Sequence, residues 1–235
     1  YNNMKITVPS SLRQRKLSQW QKYAAILDKN KGEESSDFLN LKTLEIFCGM
    51  DLKDIHSIPL REFDEVLMHM SDIFKMKTPR ENTFWLKGTD GVEVEFGMIP
   101  NLDKMSYGEY EDLENYIFDE KNLHKAVAVL YRPIKFKKKD RYLIHDYEGT
   151  EFMAEVMKNT PLDIVFGARV FFYSLAKKLG IYTLDYTLQQ LTKQQENQSD
   201  KHLDKNGEDT KQFIHSQMEM LKELTKLQDF HFTNV

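Results

Sequence analysis

The sequence predicts an α+β fold: mainly helical, with a small antiparallel β-hairpin or sheet, and a mobile C-terminal helix beyond the helical body. Three observations predict it. Most apolar residues recur at helical spacing, and one stretch near residues 83–100 alternates with period two around a turn. Past Gly180 the composition becomes polar and Gln-rich before apolar spacing returns. The expected organisation is a helical globular domain over 4–190, a polar linker over 191–210 and an amphipathic helix over 211–235. With 235 residues, 40% hydrophobic and 12% aromatic content, the chain can bury a substantial core in one or two domains.

The elements follow in order. "MKITVPSS" offers a short strand ending at Pro9, and Leu17, Trp20, Ala24 and Leu27 then mark an amphipathic helix. After the polar break "DKNKGEESSD", Asp37 is expected to cap a second helix that stops near Gly49. In "SIPLREFDEVLMHMSDIF" the stripe Leu60, Phe63, Leu67, Met70 and Phe74 opposes Arg61, Glu62, Asp64 and Glu65, with Pro59 at the first turn. This Met-bearing stripe reads as core rather than as a cofactor box.

The period then changes. "FWLKGTDGVEVEFGMIP" predicts a hairpin turning at Asp90-Gly91, with Val92, Val94 and Phe96 on the core and Glu93 and Glu95 outward. Two strands alone are marginal, so a further strand is expected, with "RYLIHDY" as the candidate. After a Pro100-Asn101 corner, Ser106 and Glu109 match a capping box. Glu109, Glu111, Asp112 and Glu114 then lie near a helix N-terminus, where the dipole favours carboxylates; they read as helix stabilisers before they read as a catalytic pair. "DEKNLHKAVAVLYRPI" predicts a helix capped at Asp119 and ended before Pro133. "NTPLDIVFGARVFFYSLAKKLG", with Thr160 as cap and Pro161 at the first position, is apolar nearly all round and predicts a central buried helix. Gly167 would permit a close crossing there, and Arg169 must snorkel or find a carboxylate. The last segment carries Ile214, Met218, Leu221 and Leu224 on one helical face, suited to folding back or to binding another chain.

Charge and motifs exclude more than they identify. A net charge of -4 and a pI near 6.0 give no general attraction to nucleic acid or an anionic membrane. The basic run Lys135 to Arg141 reads as a solvated loop before it reads as a phosphate contact, and "KFKKKDRYLIHDYEG" reads as a basic turn and a strand of the hairpin class. The most apolar window contains Asp163, Arg169 and Lys177, which break a membrane span, and the stretch "YNNMKITVP" holds no apolar run of signal-peptide length. The single cysteine, Cys48, has apolar neighbours and reads as a buried thiol. The seven histidines are scattered, "IHDYE" does not make a metal ligand set, and the glycines of "GTDG" form a turn rather than a phosphate cradle. No catalytic, cofactor-binding or metal-binding residue is therefore assigned, and the expectation is a protein that is not an enzyme.

The phrases "MKITVPSSL", "LEIFCGMDLKDI", "VEFGMIPNLDKMSYGEYEDLENYI", "LHKAVAVLYRPI" and "TPLDIVFGARVFFYSL" occur in an order that, from Met4 to Leu179, resembles a group of tailed-bacteriophage tail and virion-assembly proteins. The layout is similar to tail assembly chaperones and baseplate-hub assembly proteins. The resemblance implies a non-enzymatic role in tail or baseplate assembly, in the host cytoplasm and with a place in the virion as the alternative. It implies other phage tail or virion proteins as partners, with self-association left open. It carries no catalytic motif. On the residues themselves, Asn101, Asp103, Tyr107 and Tyr110 at the corner, and Ile214, Met218, Leu221 and Leu224 on the terminal helix, are the candidates for partner contact.

Overall fold

The computed structural model describes residues 7–30, 36–88, 91–101 and 104–174. The chain divides into two units, Tyr1–Arg169 and Val170–Val235, and the described elements belong almost wholly to the first. The fold is α+β. Among the described residues its helices are α1 (Leu17–Lys29), α2 (Ser36–Thr43), α3 (Leu52–Ile55), α4 (Leu60–Lys75), α5 (Tyr107–Tyr116), α6 (Leu123–Leu130) and α7 (Glu151–Met157). An eighth, α8, occupies residues 162–174. The strands are β1 (Thr83–Lys87), β2 (Glu93–Met98), β3 (Tyr131–Lys138) and β4 (Arg141–Ile144), joined as one antiparallel sheet in the order β1-β2-β3-β4. Helices α5 and α6 are inserted between the two hairpins.

Two apolar clusters hold this arrangement. On the helical side, Trp20 meets the Phe166 ring edge-on at 5.1 Å, and Phe47 meets Tyr23 at 5.3 Å and Phe74 at 5.0 Å. On the sheet, Phe84 stacks on Phe96 at 5.8 Å and meets Tyr131 edge-on at 5.1 Å. The Tyr131 hydroxyl donates to the Glu81 carbonyl at 2.7 Å, so the polar end of this buried ring is satisfied. At α8, a Cβ on Gly167 would lie 2.5 Å from the Pro79 carbonyl oxygen, so the helix crosses bare backbone there. Arg169 has found its carboxylate: Nη1 donates to Glu120 Oε1 at 2.6 Å, and Glu120 Oε2 accepts from the Trp20 indole at 2.7 Å.

Several expectations need correction. "RYLIHDY" does supply a strand of the sheet, β4, but as its edge: β3 pairs directly with β2 (Phe96↔Pro133, Gly97↔Arg132, Met98↔Tyr131) and β4 lies outside it. Helix α6 ends at Leu130, before Pro133 as expected, and the chain enters β3 with no loop, which places Pro133 within a strand. Asp119 is not the cap. Asn122 holds the N-cap position, and Asp119 accepts from the Asn122 side chain and the Lys121 amide. Asp37 stands in the first turn of α2, which starts at Ser36. The second helix does stop at Gly49, in left-handed conformation at φ 67°, but only after widening to a π turn over Leu44–Cys48. Pro59 occupies the N-cap position of α4, one residue before the helix. Thr160 does not cap α8: its hydroxyl faces the Met157 sulfur at 3.4 Å, and Asp163 bonds the Ile164 amide instead. The α4 stripe is core only in its second half, where Met70, Ile73 and Phe74 are buried; Phe63 and Leu67 are half-buried and Leu60 is exposed. Central burial is shared, because α6 buries every residue but Lys125. Thr7 to Pro9 form no strand, and the rest of that expected strand lies outside the described residues, as do the linker and terminal helix.

Candidate interaction surface

The corner between β2 and α5 is fixed by polar groups that the sequence spacing reveals only in part. Ser106 and Glu109 form the expected capping box: the Ser106 hydroxyl accepts from the Glu109 amide, and Glu109 Oε2 accepts from the Ser106 amide at 2.6 Å. Its other oxygen, Oε1, lies 2.7 Å from Arg132 Nη1 on β3. Both partners of this ion pair are buried, so Glu109 is a bridge from helix to sheet rather than a surface carboxylate. The Arg132 guanidinium also stands 5.7 Å from the centre of the Tyr147 ring. The Tyr147 hydroxyl donates to Asp112; burial, then that bond, raises the phenol's pKa. No sequence pattern announces the Glu109–Arg132 pair, because its members are brought together only by the strand pairing.

With Glu109 and Leu113 held inward, the opposite face of α5 is open. Tyr107, Tyr110, Glu111 and Glu114 fall at i, i+3, i+4 and i+7 and form one stripe. Tyr107 is 79% and Tyr110 48% exposed. Partial burial and then Glu114, which accepts the phenol's hydrogen bond, raise the Tyr110 pKa. Of the sequence candidates, the structure therefore brings Tyr107 and Tyr110 together on one surface. Asn101 is exposed at the corner, its carbonyl accepting from the Lys104 amide at 3.3 Å. Asp103, Ile214, Met218, Leu221 and Leu224 lie outside the described residues.

The second surface was not among the candidates. The basic run is not a loop: Lys135, Lys137 and Lys138 lie on β3, Arg141 opens β4, and Lys139 turns the hairpin at φ 54°. That left-handed backbone costs a residue with a Cβ about 1 kcal/mol. Lys135 pairs with Asp146 at 2.7 Å and Lys137 pairs with Glu95 across the outer face of the sheet. Lys138 and Arg141 stand opposite each other in the ladder, and Phe136 stands opposite Leu143. Alternation puts these four on one face of the hairpin, an apolar pair beside a basic pair. Phe136 is 59% and Leu143 63% exposed, and with Pro100 they line an open groove of about 520 Å3. The signal was in the sequence as the spacing of Phe136 from Lys138 and of Leu143 from Arg141, but it needs the register to be read.

The remaining chemistry is structural in its geometry. Burial pushes the Cys48 thiol up, which keeps it protonated at neutral pH. His124 Nδ1 lies 2.9 Å from the Gln21 amide, and burial lowers the ring's pKa. Among the described residues no group of three or more His, Cys, Asp or Glu is placed to hold a metal ion. No described helix is long and apolar enough to cross a membrane. Comparison with protein-family models, curated proteins and solved structures gives no match.

Proposed function

We propose that this chain is a non-enzymatic bacteriophage protein that acts through protein-protein contacts in tail or baseplate assembly, in the cytoplasm of the infected host. The phage part of this reading comes from the order of sequence phrases between Met4 and Leu179. The observation that supports a contact role is the α5 surface: Tyr107 and Tyr110 are held open to solvent by a helix whose other face is locked to β3 through Glu109 and Arg132. An aromatic stripe on a fixed element loses little conformational freedom when a partner covers it.

Quantitative mass spectrometry of purified virions against infected-cell lysate tests the reading. The expected result is abundance in the lysate and at most traces in the particle, with loss of assembled tails when Tyr107 and Tyr110 are both replaced by Ser. Stoichiometric copies in every particle would replace the assembly role by that of a permanent neck, ring or hub subunit. Normal assembly by the Tyr107→Ser, Tyr110→Ser protein would overturn α5 as the contact surface.

A further inference from the structure

We infer that the apolar and basic face of the β3–β4 hairpin is a self-association site, and that its occupant is the tyrosine and glutamate stripe of α5 on a second copy of this chain. Phe136 and Leu143 offer an exposed apolar pair, and Lys138 and Arg141 offer a cationic pair that outnumbers the one carboxylate lining the same groove, Asp140. The α5 stripe has the complementary content: two exposed tyrosines and two carboxylates, Glu111 and Glu114. Apolar surface meets aromatic surface, and cations meet anions, when the two are laid together.

The spacing also agrees. On the hairpin the apolar pair and the basic pair are two residues apart along the strands, about 6.6 Å at strand rise. On the helix Tyr107 to Glu111 and Tyr110 to Glu114 are each four residues apart, about 6 Å at helical rise. Both surfaces are open to solvent in the same chain, so neither covers the other within one copy. The contact joins unlike surfaces, and it closes a dimer when two copies exchange it reciprocally or builds a ring or filament when they do not. The inference rests on α5 as a contact surface and not on the phage assignment, which the virion census tests separately.

Sedimentation velocity of the full 235-residue chain, at several concentrations and two ionic strengths, tests it. The wild type is expected to associate with rising concentration, and more weakly at high salt. Lys138→Glu with Arg141→Glu, and separately Glu111→Lys with Glu114→Lys, should each weaken association by about tenfold or more, since paired charges become like charges. An equal mixture of the two variants should recover association that neither has alone, because each then meets an opposite charge. Far-UV circular dichroism checks that they are folded; if a reversal variant is not, the corresponding Gln pairs replace it, with a smaller loss expected. A wild type that stays monomeric throughout overturns the inference. So does association that survives both substitutions, or a mixture no stronger than its parts.

Discussion

The two hairpins of the sheet are both antiparallel two-strand ladders with alternating apolar residues, yet one is core and the other is surface. In β1–β2, Phe84, Leu86 and Phe96 are 5%, 8% and 2% exposed; in β3–β4, Phe136 and Leu143 are 59% and 63% exposed. The register is regular in the first hairpin, whereas the second has an irregularity between Ile134 and Phe136. At such a bulge the strand bends and its ladder is locally interrupted. The comparison teaches that alternation specifies a two-faced strand, while coverage of the apolar face depends on what else the chain can bring against it.

Paired truncations break the comparison most directly. Phe96→Ala should cost about 3–5 kcal/mol, because it removes a ring packed against Phe84 and leaves a cavity. Phe136→Ala should lie within about 0.5 kcal/mol of the wild type, as a substitution on an uncovered face. Urea unfolding of both variants reads the difference, and comparable losses would mean that the second hairpin is as well packed as the first.

The joint between the hairpins comes next. Arg132→Met should destabilise by about 3 kcal/mol, since Glu109 would be left buried with no cation opposite it. Thermal unfolding measures this, and a neutral result would show that the Ser106 amide alone satisfies Glu109. A smaller effect is expected at Gly97, which stands where the second hairpin leans on the first: the Tyr142 ring covers it and its hydroxyl donates to the Met98 carbonyl at 2.8 Å. A Cβ there would meet Tyr142 Cε2 at 2.5 Å, so Gly97→Ala should cost about 1–3 kcal/mol by denaturant titration. Combined with Tyr142→Ala, the Gly97→Ala substitution should lose most of that effect.

The smallest effect is electrostatic and confined to the second hairpin. The Lys135 ammonium, by hydrogen bond and then by charge, holds the Asp146 carboxyl below its ordinary range. A carboxylate depressed on folding adds stability that is present above the unfolded pKa and lost as pH falls through the folded one. NMR titration should place Asp146 below the usual aspartate range, and Lys135→Ala should raise it. Full exposure of this group keeps the accompanying change in stability slight.

How much was legible in the sequence varied with the range of the interaction. The capping box at Ser106 and Glu109 was readable because both bonds lie within four residues of chain. So was the first hairpin beside its glycine turn, although of the three residues expected on the core only Phe96 is buried, Val94 being half-buried and Val92 56% exposed ahead of β2. The need of Arg169 for a carboxylate was readable from its apolar helix, but Glu120, 49 residues away, was not. Likewise "LHKAVAVLYRPI" gave a helix and a proline, while the switch to strand at Tyr131 depends on pairing with β2, which overrides local preference. The α4 stripe shows the same limit from the other side: its periodicity was plain, but Leu60 at its start is 76% exposed.

By itself, then, the sequence determined what is local: helical and strand periods, the cap of α5 and the helix stop at Gly49. Those follow from backbone sterics and from hydrogen bonds made within a few residues. Tertiary structure alone decided that Glu109 is buried against Arg132, that Lys135 to Lys138 lie on a strand rather than in a turn, and that Phe136 and Leu143 face solvent beside two cations. Each of these depends on strand register and on which surfaces remain uncovered after packing, and a residue's neighbours along the chain carry neither.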